Sequence, residues 1–169
     1  MMMIDSDSPN KTNQVQKRRH PLRWVAALLI LLAVGWCFLQ WQLWGIQVTV
    51  TRVGVHGLPD GFEGLRIVQI SDLHGHEYGQ DSEALLALVA QQVPEFIVVT
   101  GDLIDQESHL AMVPALARGL AAIAPTYYVT GNHEWAVGGV PRLKGILTEC
   151  GVTVLSNQYV TLERNGDSL

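Results

Sequence analysis

Three polar clusters recur along the chain at equal intervals, and each one follows a short apolar run. The runs occupy residues 64–70, 96–100 and 126–130. Asp72, Asp102 and Asn132 mark the clusters, and each lies 30 residues from the next, which is about the length of one βαβ unit. This spacing predicts parallel strands joined by right-handed crossovers, whose carboxyl ends bring the three clusters to one edge of a sheet.

The segments between the runs have the periodicity of amphipathic helices. We expect helices at residues 81–93, 109–123 and 140–150, followed by a fourth strand at 152–155. Asp81 or Ser82 is expected to cap the first helix, and Asp105, Glu107 and His109 are expected to cap the second. Continuous apolar strands are typical of a sheet covered on both faces. The predicted class is therefore α/β, with a mostly parallel sheet.

Ahead of this region lies an uncharged apolar segment. Residues 24–46 contain no charged side chain, and the 21 residues from Trp24 to Trp44 would form a helix of roughly 31 Å, close to the hydrocarbon thickness of a bilayer. Trp24, Trp41 and Trp44 lie at its boundaries, where indole rings favour the headgroup level. A buried core helix and a cleaved signal peptide are the alternatives. The length of the run favours a retained transmembrane signal anchor at residues 24–45.

The charge balance changes across this segment. Residues 1–23 carry a net charge of +3, whereas the residues after Arg23 contain 6 basic and 14 acidic side chains. The basic arm at 1–23 is expected to stay in the cytoplasm, with the domain at 46–169 on the outer side of the membrane. An acidic body excludes a nucleic-acid-binding surface, because phosphate neutralisation needs Lys and Arg on the folded surface. An anionic protein that acts on phosphates would need metal ions.

The residue types in the clusters suit a metal site. Asp72 and His74 can point at one cation, Asp102 supplies a second carboxylate, and Asn132 supplies a neutral carbonyl oxygen. Mixed oxygen and nitrogen ligands favour Mn²⁺, Fe or Zn²⁺ over a thiolate site. With two divalent ions, Asp102 is the natural bridge, and the pair would lower the pKa of a bridging water. His133 is then free to serve the leaving group.

Each cluster alone also has an ordinary structural explanation. Asp-x-His sequences are common, Gly-Asp often starts a turn, and Asn-His often caps a helix. Solvated loop positions are favoured for His76 and Glu77. His133 and Glu134 do not begin a zincin motif, because Val137 stands where the second histidine is needed. The absence of Gly-x-Ser-x-Gly, P-loop and dinucleotide-binding motifs excludes serine hydrolases, P-loop NTPases and Rossmann oxidoreductases.

Taken together, the clusters carry a family resemblance. The chain reads Ser-Asp-Leu-His at 71–74, Gly-Asp-Leu-Ile-Asp at 101–105 and Gly-Asn-His-Glu at 131–134. In this combination it resembles the calcineurin-like metallophosphoesterase superfamily, in particular a membrane-anchored bacterial branch. The resemblance covers about residues 46–169.

The resemblance implies a four-layer α/β/β/α sandwich and a phosphomono- or phosphodiester hydrolase that uses a metal-bridging hydroxide at a dinuclear site. Carried over by position, it implies that Asp72 and His74 bind the first ion and that Asp102 bridges the two. It likewise assigns Asn132 to the second ion and His133 to the leaving group. A site tethered near a bilayer makes a lipid or cell-envelope phosphoester the favoured substrate class.

The sequence also departs from the family pattern. Members of the superfamily continue to further strands with two more histidine clusters, one of them Gly-His-x-His, whereas no histidine follows His133 here. We therefore expect a C-terminally incomplete domain that contains the first half of the sandwich. The alternative to an enzyme is a truncated, non-catalytic, membrane-anchored homologue that lacks these ligands.

Overall fold

A computed structural model of the protein describes residues 21–169. The basic arm predicted at 1–23 lies outside these residues except for its last three, which begin helix α1 (Pro21–Trp44). Contacts divide the chain into two compact units, of which the first ends at Thr49 and the second starts at Val50.

Helix α1 is long and apolar enough to cross a membrane. It has 24 residues, and its segment Leu22–Gln40 has a mean hydropathy of 2.2. None of this segment is buried. The helix begins earlier than the predicted span at 24–45, because proline at its first position has no amide hydrogen to satisfy and a backbone angle already suited to a helix.

The second unit is built on a parallel sheet. The elements after α1 are β1 (Ile67–Ile70), α2 (Glu83–Gln91), β2 (Phe96–Val99), α3 (Val113–Ile123), β3 (Thr126–Tyr128), α4 (Asn132–Val137), α5 (Val140–Glu149), β4 (Thr153–Val154), β5 (Glu163–Arg164) and β6 (Asp167–Ser168). The strand order is β1-β2-β3-β4 with every neighbour parallel, and β5 and β6 form a separate antiparallel pair. The predicted α/β class with mostly parallel strands is confirmed.

The strand register aligns the carboxyl ends of the first three strands. Ile70 pairs with Val99, and Val99 pairs with Tyr128, so the strands end side by side. These register partners are 29 residues apart, whereas the polar clusters repeat every 30 residues. Each successive cluster therefore lies one residue further beyond the end of its strand. The three loops thus place their polar residues at different distances from the same edge of the sheet.

The helices of the second unit cover one face of the sheet. Ile97, Val99 and Tyr128 point to this face and are buried, together with Leu116 of α3 and Leu143 of α5. The strands are added in one direction along the sheet, and right-handed crossovers in one direction place all connecting helices on the same side.

The opposite face of the sheet is only partly covered within residues 50–169. Phe96, Val98 and Tyr127 point to it and are half-exposed, and Ile67 on the edge strand is 51% exposed. The expectation that the sheet is covered on both faces is therefore met only on the helical face in this part of the chain. Apolar strands show that both faces disfavour water, but the strand order decides on which side the helices lie.

The predicted helix caps differ from the observed ones. Helix α2 begins at Glu83, and Ser82 before it has a left-handed backbone. Its buried hydroxyl has no hydrogen-bond partner within residues 21–169, so it provides no side-chain cap. Helix α3 begins at Val113, after a 3₁₀ segment at Glu107–Ala111. Asp105 and His109 contact each other instead of capping α3. These capping predictions were wrong because the local pattern does not reveal the competing tertiary partners.

Arg164 connects the β5–β6 hairpin to the residue just before β2. Arg164 makes a two-pronged ion pair with Glu95 just before β2, with N···O distances of 2.5 and 3.0 Å. The same guanidinium donates to the carbonyl oxygens of Gly61 and Glu63. The hydrogen bond from Arg164 holds the pKa of the Glu95 carboxyl below its usual value. The ion pair therefore stabilises the fold at pH values above the usual carboxyl pKa, and this stabilisation is lost as the pH falls through the lowered pKa.

Candidate metal centre

The loops that carry the site have strained backbones. Asp72, His74 and Asp102 all have positive φ angles, of 57°, 48° and 51°. Left-handed backbone is uncommon outside glycine and costs on the order of 1 kcal/mol or more for each residue. Such residues persist only where surrounding contacts hold them, and these three lie directly beyond the carboxyl ends of β1 and β2.

Backbone hydrogen bonds hold the first two loops together. The amide of Asp72 donates to the Gly101 carbonyl at 3.2 Å, and the amide of His74 donates to the Asp102 carbonyl at 2.9 Å. The amide of Gly75 continues this pattern with the Leu103 carbonyl at 2.8 Å. The pairing of β1 with β2 therefore extends beyond the strands into the site.

Two glycines allow the second and third loops to touch. A Cβ on Gly101 would lie 2.3 Å from the Gly131 nitrogen, and a Cβ on Gly131 would lie 2.2 Å from Asp102 Oδ1. Real Cβ atoms do not approach other atoms so closely, so both positions require glycine. In the structure these two glycines let the second and third loops approach each other.

Three of the predicted residues form a compact donor group. His74, Asp102 and His133 each offer a ligand atom, and these atoms all lie within 4.8 Å of one another. The two imidazole rings meet edge to face with centroids 4.6 Å apart. Asp102 Oδ1 also accepts the backbone amide of His133 at 3.0 Å, which links the carboxylate to the start of α4. The sheet thus brings donors from three successive strand ends together.

The other two predicted ligands lie beside this group. Asp72 Oδ1 is 3.8 Å from His74 Nε2, and the Asp72 side chain is 63% exposed. Asn132 is exposed at the first position of α4, directly before His133. His76, which we expected in a solvated loop, packs its ring on Tyr78 with centroids 4.4 Å apart.

Glu134 is the residue that sequence reasoning missed. Its side chain is fully buried, and its carboxylate accepts four backbone amides. The donors are Asp102 at 3.1 Å, Leu103 at 2.5 Å, Ile104 at 3.2 Å and Gly131 at 2.7 Å. A buried charge is tolerated only when it is well hydrogen-bonded, and this carboxylate ties the second loop to the third.

A sequence signal for this role exists. Glu134 stands three residues after Gly131, and a glutamate at this position commonly reaches back to the amide before the first turn of a helix. We did not predict α4, because six residues are too few to show helical periodicity. Burial, together with the charge of Glu134, also raises the pKa of the Tyr128 hydroxyl far above its usual range.

The donor set fits a divalent transition metal. One carboxylate and two imidazoles converge in the group, and a second carboxylate lies beside it. Imidazole and carboxylate ligands together suit Zn²⁺, Fe or Mn²⁺. The parallel sheet and these donors at its carboxyl edge define an α/β protein with a candidate metal centre.

Comparison with known proteins identifies the family. The profile of the calcineurin-like phosphoesterase family matches residues 65–165, and the chain belongs to this family. The match includes all five predicted site residues, and it confirms the resemblance described above.

Individual relatives extend the same result. The chain is 36% identical over 123 residues to the uncharacterized metallophosphoesterase YkuE of Bacillus subtilis, which covers 69% of this chain and 43% of that protein. It is 33% identical over 122 residues to a transmembrane protein with metallophosphoesterase domain from Bos taurus. This alignment covers 70% of this chain and 28% of that protein. The chain therefore spans less than half the length of these relatives.

A solved structure also matches part of the chain. The phosphopantetheinyl hydrolase PptH from Mycobacterium tuberculosis aligns with a TM-score of 0.41 and 20% identity, over 61% of this chain and 39% of that one.

Proposed function

We propose that this protein is a metal-dependent phosphoesterase that hydrolyses a phosphomono- or phosphodiester at a dinuclear centre. The observation that carries the proposal is the donor group of His74, Asp102 and His133, whose ligand atoms lie within 4.8 Å of one another inside the family-matched segment. Residues 46–169 belong to the phosphoesterase domain in this proposal.

Four residues are assigned to the cations. Asp72 and His74 would hold the first divalent ion, Asp102 would lie between the two ions, and Asn132 would serve the second. Carboxylate oxygens can be shared between two cations, and the fixed position of Asp102 against the His133 amide supports that role. When bound, the ions supply Lewis acidity toward the phosphoester and an activated water.

His133 is assigned to the leaving group. Asp102 accepts the backbone amide of His133, and the His133 ring packs edge to face against the His74 ring. These two contacts restrict the imidazole to few conformations at the donor group. From that position it would donate a proton to the departing oxygen. The grouping of its ring with the other donor atoms also favours a second candidate role, in which His133 is itself a metal ligand.

An activity assay together with metal analysis tests these assignments. Full-length protein in detergent micelles should release nitrophenol from bis-p-nitrophenyl phosphate with Mn²⁺ and should stop when EDTA removes the metal. If His133 serves the leaving group, His133→Ala should lower the rate at least about 100-fold while the bound Mn²⁺ per chain is unchanged. Loss of bound Mn²⁺ would instead make His133 a ligand. Glu149→Gln, an exposed substitution on α5, is the matched control.

We further propose that the protein is anchored in the membrane by α1, with the phosphoesterase domain on the outer side and a lipid or cell-envelope phosphoester as substrate. The hydropathy of Leu22–Gln40 supports the anchor, and the basic residues before it support the orientation. Alkaline phosphatase fused after Leu169 should be active, since it folds only outside the cytoplasm. Phosphate release should be faster from solubilised membrane lipids than from soluble nucleotides, and the reverse order would contradict the substrate class.

A further inference from the structure

We propose that His109 is a positioning residue for His74, acting through the carboxylate of Asp105. Neither His109 nor Asp105 belongs to the set of residues assigned above to the metals or to the leaving group. The inference rests on the proposed function, because it concerns how one candidate ligand is held. It is carried by the contacts of four residues: His74, Gly75, Asp105 and His109.

The first contact joins His109 to Asp105. Nδ1 of His109 lies 2.9 Å from Oδ1 of Asp105, four residues earlier in the chain. Both atoms are shielded from solvent, and neither has a hydrogen bond to any other group within residues 21–169. The contact has ion-pair distance without hydrogen-bond geometry, so it is a close approach of two buried polar atoms. Removing one partner would leave the other buried and alone.

The second contact joins Asp105 to His74. The other oxygen of the same carboxylate, Oδ2, lies 3.9 Å from Nδ1 of His74. The opposite ring nitrogen of His74, Nε2, faces Asp72 Oδ1 at 3.8 Å. The His74 ring therefore lies between two carboxylates, with Nδ1 toward Asp105 and Nε2 toward the candidate ligand Asp72. Asp105 in turn faces an imidazole with each of its oxygens.

The third contact seats the His109 ring beside the His74 loop. A Cβ on Gly75 would lie 1.9 Å from His109 Nδ1, and Gly75 has a φ of +73°. The ring therefore occupies space that exists only because residue 75 has no side chain. The amide of Gly75 is itself bound to the Leu103 carbonyl, so the loop under the ring is fixed. His109 thus packs against the residue that follows His74 and contacts the carboxylate that faces it.

These contacts have a known consequence in metal sites. The nitrogen of an imidazole that does not bind the cation usually faces a carboxylate or a carbonyl, which fixes the tautomer and the ring orientation. Loss of such a partner typically weakens metal binding or activity by about 10- to 100-fold. Asp105 has the position of this partner, and His109 holds Asp105. His109 itself is not part of the donor group formed by His74, Asp102 and His133.

Matched substitutions of His109 test the proposal. Asparagine places an amide nitrogen near the position of Nδ1, whereas leucine has a similar volume and no polar atom. Mn²⁺ titrated into full-length protein in micelles should bind about 10- to 100-fold more weakly to His109→Leu, and within about threefold of wild type to His109→Asn. Thermal unfolding without metal identifies any variant that fails to fold. In that case His109→Asn and His109→Gln are compared, because glutamine displaces the amide by one methylene group.

A metal-free readout separates this inference from the proposed function. With ¹⁵N-labelled histidine, the His74 ring of the wild-type protein should carry its proton on Nδ1, and His74→Gln assigns the signal. His109→Leu should shift the ring toward the Nε2–H tautomer, and His109→Asn should restore it. If no variant binds Mn²⁺, the proposed function fails, and the tautomer alone decides the inference. Unchanged tautomer and Mn²⁺ affinity in folded His109→Leu would overturn it.

Discussion

Replacing Asp102 by asparagine should lower the rate of phosphoester hydrolysis by at least about 100-fold and remove bound Mn²⁺ from the protein. Asparagine keeps the size of the side chain and an oxygen that can accept the His133 amide. The change therefore removes the negative charge that two cations would share, with little effect on the contact between the second and third loops.

The control for this prediction is Glu149→Gln, which makes the same carboxylate-to-amide change at an exposed position on α5. Its rate and Mn²⁺ content should match those of the wild-type protein. Thermal unfolding in the absence of metal should show that both variants are folded. If Asp102→Asn retains full activity and full Mn²⁺ content, the carboxylate does not bind the cations and the dinuclear proposal is wrong.

Replacing Glu134 by glutamine should reduce the free energy of unfolding by about 2–4 kcal/mol. The carboxylate accepts amides on both of its oxygens, two on each. The glutamine side chain has one oxygen and one NH₂ group, so two backbone N–H groups would face another donor instead of an acceptor. The loops after β2 and β3 would then separate.

Urea unfolding of the full-length protein in micelles measures this effect, and Mn²⁺ titration measures its result at the donor group. Affinity for Mn²⁺ should fall with the stability, because Glu134 joins the loop that carries Asp102 to the loop that carries His133. Glu149→Gln should change stability by less than about 0.5 kcal/mol. Equal urea midpoints for the two glutamine variants would show that the amide contacts of Glu134 contribute nothing.

The sequence was sufficient to predict the edge of the sheet where the site forms. The apolar runs before Asp72, Asp102 and Asn132 form strands that end side by side. Residues at equal intervals along the chain therefore lie close together at the edge of the sheet. The sequence also predicted the helices between these runs, although the predicted helix ends differ from the observed ends by up to four residues. These features depend on local hydrophobic pattern and on the handedness of crossovers, both of which act on short stretches of chain.

The parts that could not be predicted depend on contacts between distant segments. Glu134 is adjacent to a predicted site residue, but its four amide donors belong to loops about 30 residues apart, and no local pattern reports them. Asp105 and His109 had the composition of a helix cap, whereas their partners are each other and the His74 loop. The one-sided helix layer followed from strand order, which alternating elements alone do not specify.

The donor group described above draws one residue from each of three loops, so none of its pairs is local in the chain. In the unfolded protein these residues are far apart, and a cation bound by the folded form would have no comparable site there. Under the proposed function, each tenfold rise in free cation above the dissociation constant would add about 1.4 kcal/mol per bound ion to the stability of the fold. The metal supply of its compartment thereby becomes one of the variables that set how much of this protein is folded.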